Sequence, residues 1–142
     1  MASVAARAQV PLVGVGVVLR RGEEWLLQRR ANVHGDGTWS TAGGHLDLGE
    51  DPADCARREV AEETGLIVAE VEFLGVTNDV FEGGRHYVTL WFEALAFGGT
   101  ATLSAPGEMS DLRWFPRAEL PEPLFPPLRR LLAGDCLGPG LA

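Results

Sequence analysis

The sequence predicts a single α/β domain of the mixed α+β kind over residues 10–133. Three observations predict it. The segment Asp51 to Gly65 carries helix start and stop signals around a helical repeat of small side chains. Runs rich in β-branched and aromatic residues lie on both sides of it. The chain of 142 residues contains no repeat, low-complexity block or long linker, which leaves room for one core. Residues 1–9 and 138–142 are expected to be flexible termini.

Val10 to Leu19 and Glu24 to Arg30 flank Arg20-Arg21-Gly22-Glu23 and read as a β-hairpin. Val13, Val15, Val17 and Leu19 fall on one face of the first run, and Gly14 and Gly16 on the other. Glycine inside a strand marks either a bulge or a place where something approaches the backbone closely. Asn32 to Thr38 is a loop. Leu66 to Val80 and His86 to Phe97 are strands joined by the turn Glu82-Gly83-Gly84. Bulky side chains alternate onto both faces of His86 to Glu93, so that strand is predicted to be central. Leu112 to Phe115 is a short strand, Pro116 to Leu120 a turn or short helix, and Leu124 to Ala133 a helix stopped by Gly134.

The helix from Asp51 to Gly65 obeys local rules except in its charges. Asp51 suits the N-cap, Pro52 the first turn, Asp54 the positive end of the dipole and Gly65 the C-cap. Ala53, Ala56, Val60 and Thr64 form the packing face. At about 100° per residue, Glu59 and Glu63 lie roughly 40° apart, and Glu62 follows on the same side. Like charges four apart cost about 0.2–0.5 kcal/mol, and acids in the last turn oppose the dipole. Asp47, Glu50, Asp51 and Asp54 crowd the segment just upstream, with Arg57 and Arg58 the nearby cations. Arg58 is spaced to pair with Glu62 and Asp54. A solvated acidic face is one reading. The other is a hard divalent cation held between the carboxylates.

Composition excludes several chemistries. The 12 basic residues are all Arg, so no lysine is present for a Schiff base, a P-loop or a kinase site. The net charge of −8 argues against a nucleic-acid polymer as partner, but not against a small phosphorylated ligand that arrives with cations. Cys55 and Cys136 have no metal or disulfide spacing and read as free thiols of a reducing compartment. Val10 to Leu19 is too short to span a membrane and reads as a buried strand rather than a signal peptide, so a cytoplasmic location is expected.

Gly44-His45-Leu46-Asp47-Leu48-Gly49-Glu50, then Asp51 to Arg57, then Arg58-Glu59-Val60-Ala61-Glu62-Glu63-Thr64-Gly65-Leu66 resembles a complete Nudix box. The family pattern is Gly, five residues, Glu, seven residues, then Arg-Glu-aliphatic-any-Glu-Glu-any-Gly-aliphatic, and every specified position is met. Thr77-Asn78-Asp79-Val80-Phe81, His86-Tyr87-Val88-Thr89 and Leu124-Phe125-Pro126-Pro127-Leu128 are similar to the MutT-type branch, which acts on nucleoside triphosphates. Two departures stand out: Ala42 replaces the usual proline, and Asp47 a frequent glutamate.

The resemblance implies the Nudix fold, a mixed β-sheet sandwiched between helices, with the box as loop–helix–loop. It implies Mg²⁺, with Mn²⁺ as a substitute, held by Glu59 and Glu63, with Glu62 on a second ion or acting through water and the Gly43 carbonyl as a further ligand. Glu50 and Arg58 would support the helix, and Glu108, with Asp111 competing, would be the acid beyond the box. The implied reaction is in-line attack by water, deprotonated by a glutamate, on a nucleoside triphosphate, giving monophosphate and pyrophosphate. Hydrolysis of a dinucleotide or nucleotide sugar (of ADP-ribose or NADH type) is the rival enzyme reading, and a non-catalytic nucleotide sensor the rival of another class. The resemblance also implies a homodimer. For the substrate, Gly44 and four side chains are candidates. Trp39 either stacks on a base or anchors the core. Asn78 and Asp79 either read a base edge or serve a turn. His86 is either a ligand group or a satisfied structural side chain.

Overall fold

The computed structural model describes residues 10–141. The strands are β1 (Leu12–Val18), β2 (Arg20–Arg21), β3 (Glu24–Arg30), β4 (Trp39–Ser40), β5 (Ala42–His45), β6 (Ile67–Val80), β7 (His86–Gly98) and β8 (Met109–Pro116). The helices are α1 (Pro52–Thr64) and α2 (Pro126–Leu132). One sheet runs β5-β1-β7-β6, mixed because β1 and β7 are parallel. The other runs β2-β3-β4, with β8 paired to the free edge of β3.

Alternation along β1 divides the core. Val15, Val17 and Leu19 pack with Leu26 and with Cys55, Ala56 and Val60 of α1. Val18 points the other way and packs with Trp25, Leu27, Trp91 and with Leu128 and Leu131 of α2. The helices therefore cover opposite faces, the sandwich that the resemblance implies. β7 lies between β1 and β6, as the bulk on both its faces requires. Among the described residues no helix is long and apolar enough to cross a membrane.

Three expectations change. The run from Val10 to Arg30 is not one hairpin. β1 pairs with β5 and β7, and after the buried Leu19 the chain enters the second sheet, where the short β2 forms the hairpin with β3. Both faces of β1 are covered, one by α1 and the other by α2, so the strand sits inside a sheet with β5 and β7 on its edges. The start of the box is strand rather than loop: Ala42–His45 is the edge strand β5. Residues 138–141, read as a flexible end, lie along β6, where Leu137 and Val76 exchange backbone hydrogen bonds and the Gly140 N–H donates to the Leu74 carbonyl. Residues 1–9 lie outside the described residues.

Candidate active site

The helix that carries the acids is built as its sequence requires. Asp51 Oδ2 accepts hydrogen bonds from the N–H groups of Ala53 and Asp54 at 3.0 and 3.3 Å. Gly65 ends the helix at φ 74°, a conformation that side chains resist. The buried face is Cys55, Ala56, Glu59, Val60, Glu63 and Thr64, so two carboxylates sit on the packed side among apolar residues.

The three glutamates do not share one environment. Glu63 is 7% exposed and Glu59 9%, whereas the Glu62 side chain is 56% exposed and lies outside the cavity. Glu63 Oε1 accepts the Gly43 N–H at 2.9 Å. Glu59 lies against Gly44, where a Cβ would collide with its carboxylate. Burial pushes the Glu63 pKa up to about 8 and that of Glu59 up to about 7, and repulsion from neighbouring carboxylates adds to both. The Arg58 guanidinium opposes the rise at Glu59 but does not cancel it.

Arg58 is the hub that holds these acids. Its Nε and Nη2 grip both oxygens of Glu50 at 2.8 and 2.9 Å, and its Nη1 reaches Glu59 Oε1 at 2.9 Å and Glu62 at 3.4 Å. Its Nη2 also donates to the His45 carbonyl at 3.3 Å. The fork holds Glu50 well below the usual range, at about 2. Asp54, read as an Arg58 partner, is taken instead by Arg57 at 3.2 Å.

A cavity of about 520 Å³ opens beside the two buried carboxylates. Glu59, Glu63, Gly43, Gly44 and Glu108 line its acidic end, with Glu108 exposed. Asp111 lies outside it and pairs with Arg113. Gly14 and Gly16 form the floor, where a Cβ at Gly16 would strike the Trp91 ring. The close approach is thus an aromatic side chain at Gly16, whereas Gly14 has only ordinary contact with Thr89.

The other substrate candidates sit elsewhere. Trp39 is 7% exposed, packs edge-on against Phe115 and belongs to the core. Asp79 is wholly buried and accepts from Thr77, Thr89 and Arg130 at 2.7–2.8 Å, tying α2 to the cavity wall from behind. Asn78 and His86 hydrogen-bond each other outside the cavity. Strand alternation thus places Asn78 and His86 outside the cavity lining, and Trp39 and Asp79 are buried behind it.

The cavity is also lined by residues that sequence reasoning missed: Arg30, His34, Phe81, Arg85, Tyr87 and Phe125. They come from distant segments and share no spacing. The one available signal was the alternation that puts Tyr87, Thr89 and Trp91 on a single face of β7, since all three line the cavity.

Among the described residues no three His, Cys, Asp or Glu side chains converge as a closed metal cage. The donor set still fits Mg²⁺, which is usually held by one or two carboxylates together with substrate phosphates. Glu59 and Glu63 supply two hard oxygen ligands, and Gln28 Oε1, buried without a hydrogen-bond partner, adds an unused oxygen lining the same cavity. Gly44→Ala is expected to stay folded but to lose roughly 10–100-fold in activity, because the methyl group displaces Glu59. Steady-state kinetics with a melting curve would check this.

Comparison with known proteins agrees with this geometry. The family model described as NUDIX domain matches residues 10–134. The mouse (Mus musculus) protein named 8-oxo-dGDP phosphatase NUDT18 is 32% identical over 120 residues, 83% of this chain and 36% of its own. A Pseudomonas aeruginosa protein named NAD-capped RNA hydrolase NudC is 36% identical over 105 residues, 74% of this chain and 36% of its own. The chain therefore spans about a third of the length of these relatives. The crystal structure of a MutT NUDIX hydrolase from Burkholderia pseudomallei superposes with a TM-score of 0.79 at 31% identity, over 82% of this chain and 91% of that one.

Proposed function

We infer the activity from one premise: this chain belongs to the NUDIX family. The reading that the site supports best is a Mg²⁺-dependent pyrophosphohydrolase acting on nucleoside triphosphates, oxidised or non-standard ones included, with release of monophosphate and pyrophosphate. The observation that carries it is the pair of buried carboxylates, Glu59 and Glu63, facing a cavity large enough for a nucleotide. Buried charges without compensation are costly, so two such groups in one wall call for a cation.

Glu59, Glu63 and the Gly43 carbonyl would hold the ion, which when bound supplies charge neutralisation for the phosphate chain. Arg58 keeps Glu59 and Glu50 in place. Glu108, at the cavity rim, is available to take a proton from the attacking water. Glu62 acts from outside the cavity, through Arg58 or through water. A cytosolic setting fits the two unbridged thiols, Cys55 and Cys136.

The relatives named for 8-oxo-dGDP and NAD-capped RNA mark oxidised nucleotides and dinucleotide linkages as compounds to set beside ordinary triphosphates. The test is product mass after incubation with triphosphates, dinucleotides and nucleotide sugars, with Mg²⁺, Mn²⁺ or chelator. Metal-dependent cleavage of triphosphates is expected. Faster cleavage of a dinucleotide would move the substrate class, and metal-independent binding without turnover would make the protein a sensor. The family resemblance also suggests a homodimer, which light scattering checks; a monomeric mass would end that part.

A further inference from the structure

The cavity wall holds a polar atom with nothing to bind. His34 lies in the β3–β4 loop, with Phe81 edge-on to its ring at 4.3 Å between centroids, Phe125 edge-on at 5.8 Å and Tyr87 nearly parallel at 6.0 Å. Its Nε2 is buried and has no hydrogen-bond partner. Leaving such a group unmatched costs about 1–3 kcal/mol, which a folded protein tolerates where a ligand provides the match.

The surroundings also hold His34 neutral. Burial lowers its pKa first, and Arg85 and Arg30 lower it further. A neutral imidazole can present Nε2 as donor or acceptor according to tautomer. Arg30 braces the loop: its Nε donates to the His34 carbonyl at 2.7 Å, and its guanidinium lies over Phe125 at 4.2 Å. Four aromatic or heteroaromatic rings and one unmatched hydrogen-bonding nitrogen suit a flat heterocycle with polar edges.

We propose that His34 is the specificity-determining residue of this protein, in that a substrate's aromatic heterocycle stacks among Phe81, Tyr87 and Phe125 and its polar edge meets His34 Nε2. The assignment rests on the nucleotide reading above and deepens it. Nε2 has almost no exposure in the free protein, so the heterocycle reaches it by moving the Phe81 edge aside. Phe81 sits at the start of the β6–β7 turn, next to Glu82-Gly83-Gly84. His34 touches the heterocycle rather than the reacting phosphorus, so it selects and orients.

The test is binding by calorimetry, which needs no turnover. Purine and pyrimidine nucleoside 5′-monophosphates are compared with ribose 5-phosphate, which lacks the ring. The wild-type protein is expected to bind at least one nucleoside monophosphate about tenfold or more tighter than ribose 5-phosphate. His34→Phe keeps a ring in the nest but removes the nitrogen, and is expected to cut that preference about tenfold. His34→Gln, which restores a hydrogen-bonding group, is expected to recover part of it. Phe81→Leu, at a half-buried position, serves if the His34 variants fail to fold, and is expected to lower the same preference. Equal affinity for nucleotide and ribose 5-phosphate, or an undiminished preference in folded His34→Phe, would overturn the proposal. Loss of hydrolysis in every condition would instead overturn the catalytic reading and leave this binding result standing by itself.

Discussion

Glu63→Gln is expected to lower kcat by at least about 10³-fold while the chain stays folded. The amide preserves the shape of the side chain and can still accept the Gly43 N–H. What it removes is the buried negative charge that would hold the cation. The pH dependence of stability gives a second readout. In the unfolded chain Glu59 and Glu63 titrate near 4.5, whereas in the fold they titrate near about 7 and about 8. The fold thus favours their protonated forms. Stability from this source is complete below pH 4.5 and drains away as the pH rises to 8. In chelator at about pH 8 the variant, neutral at position 63 whatever the pH, is expected to melt above the wild type. Added Mg²⁺ should then raise the wild-type melting temperature more than the variant's. A variant that turns over normally, or that does not fold, would refute the metal assignment.

Arg58→Lys is expected to cost about 10–100-fold in kcat/KM despite keeping the charge. One planar guanidinium spans Glu50, Glu59, Glu62 and the His45 carbonyl at once. An ammonium is a point charge and cannot keep that fork. Glu59 would lose its fixed position beside Gly44, and the end of β5 at His45 would lose its tie to α1. Glu50, held at about 2 by the fork, would return toward 4.5. Its folded value is depressed, so it contributes stability above 4.5 that is lost as the pH falls toward 2. The variant is therefore expected to lose its fold at a higher pH on acidification. Full activity in the lysine variant would show that charge alone suffices.

Much of the frame was legible before any coordinates. Asp51, Pro52 and Gly65 bounded α1 because caps act within a few residues. Two-sided bulk marked β7 as central, and Gly16 marked a close approach. Substrate contacts were less legible. Trp39 and Asp79 carry the chemistry of a binding residue, yet one fills the core and the other anchors Arg130. Residue type reports what a side chain can do, not which side of a strand or loop it faces.

The linear order of residues determined α1, its crowded acids and the family, since each depends on spacing within one short segment. The tertiary structure decided that Glu59 and Glu63 are buried while Glu62 is not, that Arg58 closes on Glu50, that β1 leaves its hairpin, and that His34 meets Phe81, Tyr87 and Phe125. Those outcomes depend on which surfaces lose water when remote segments pack together, and burial is a property of the assembled domain.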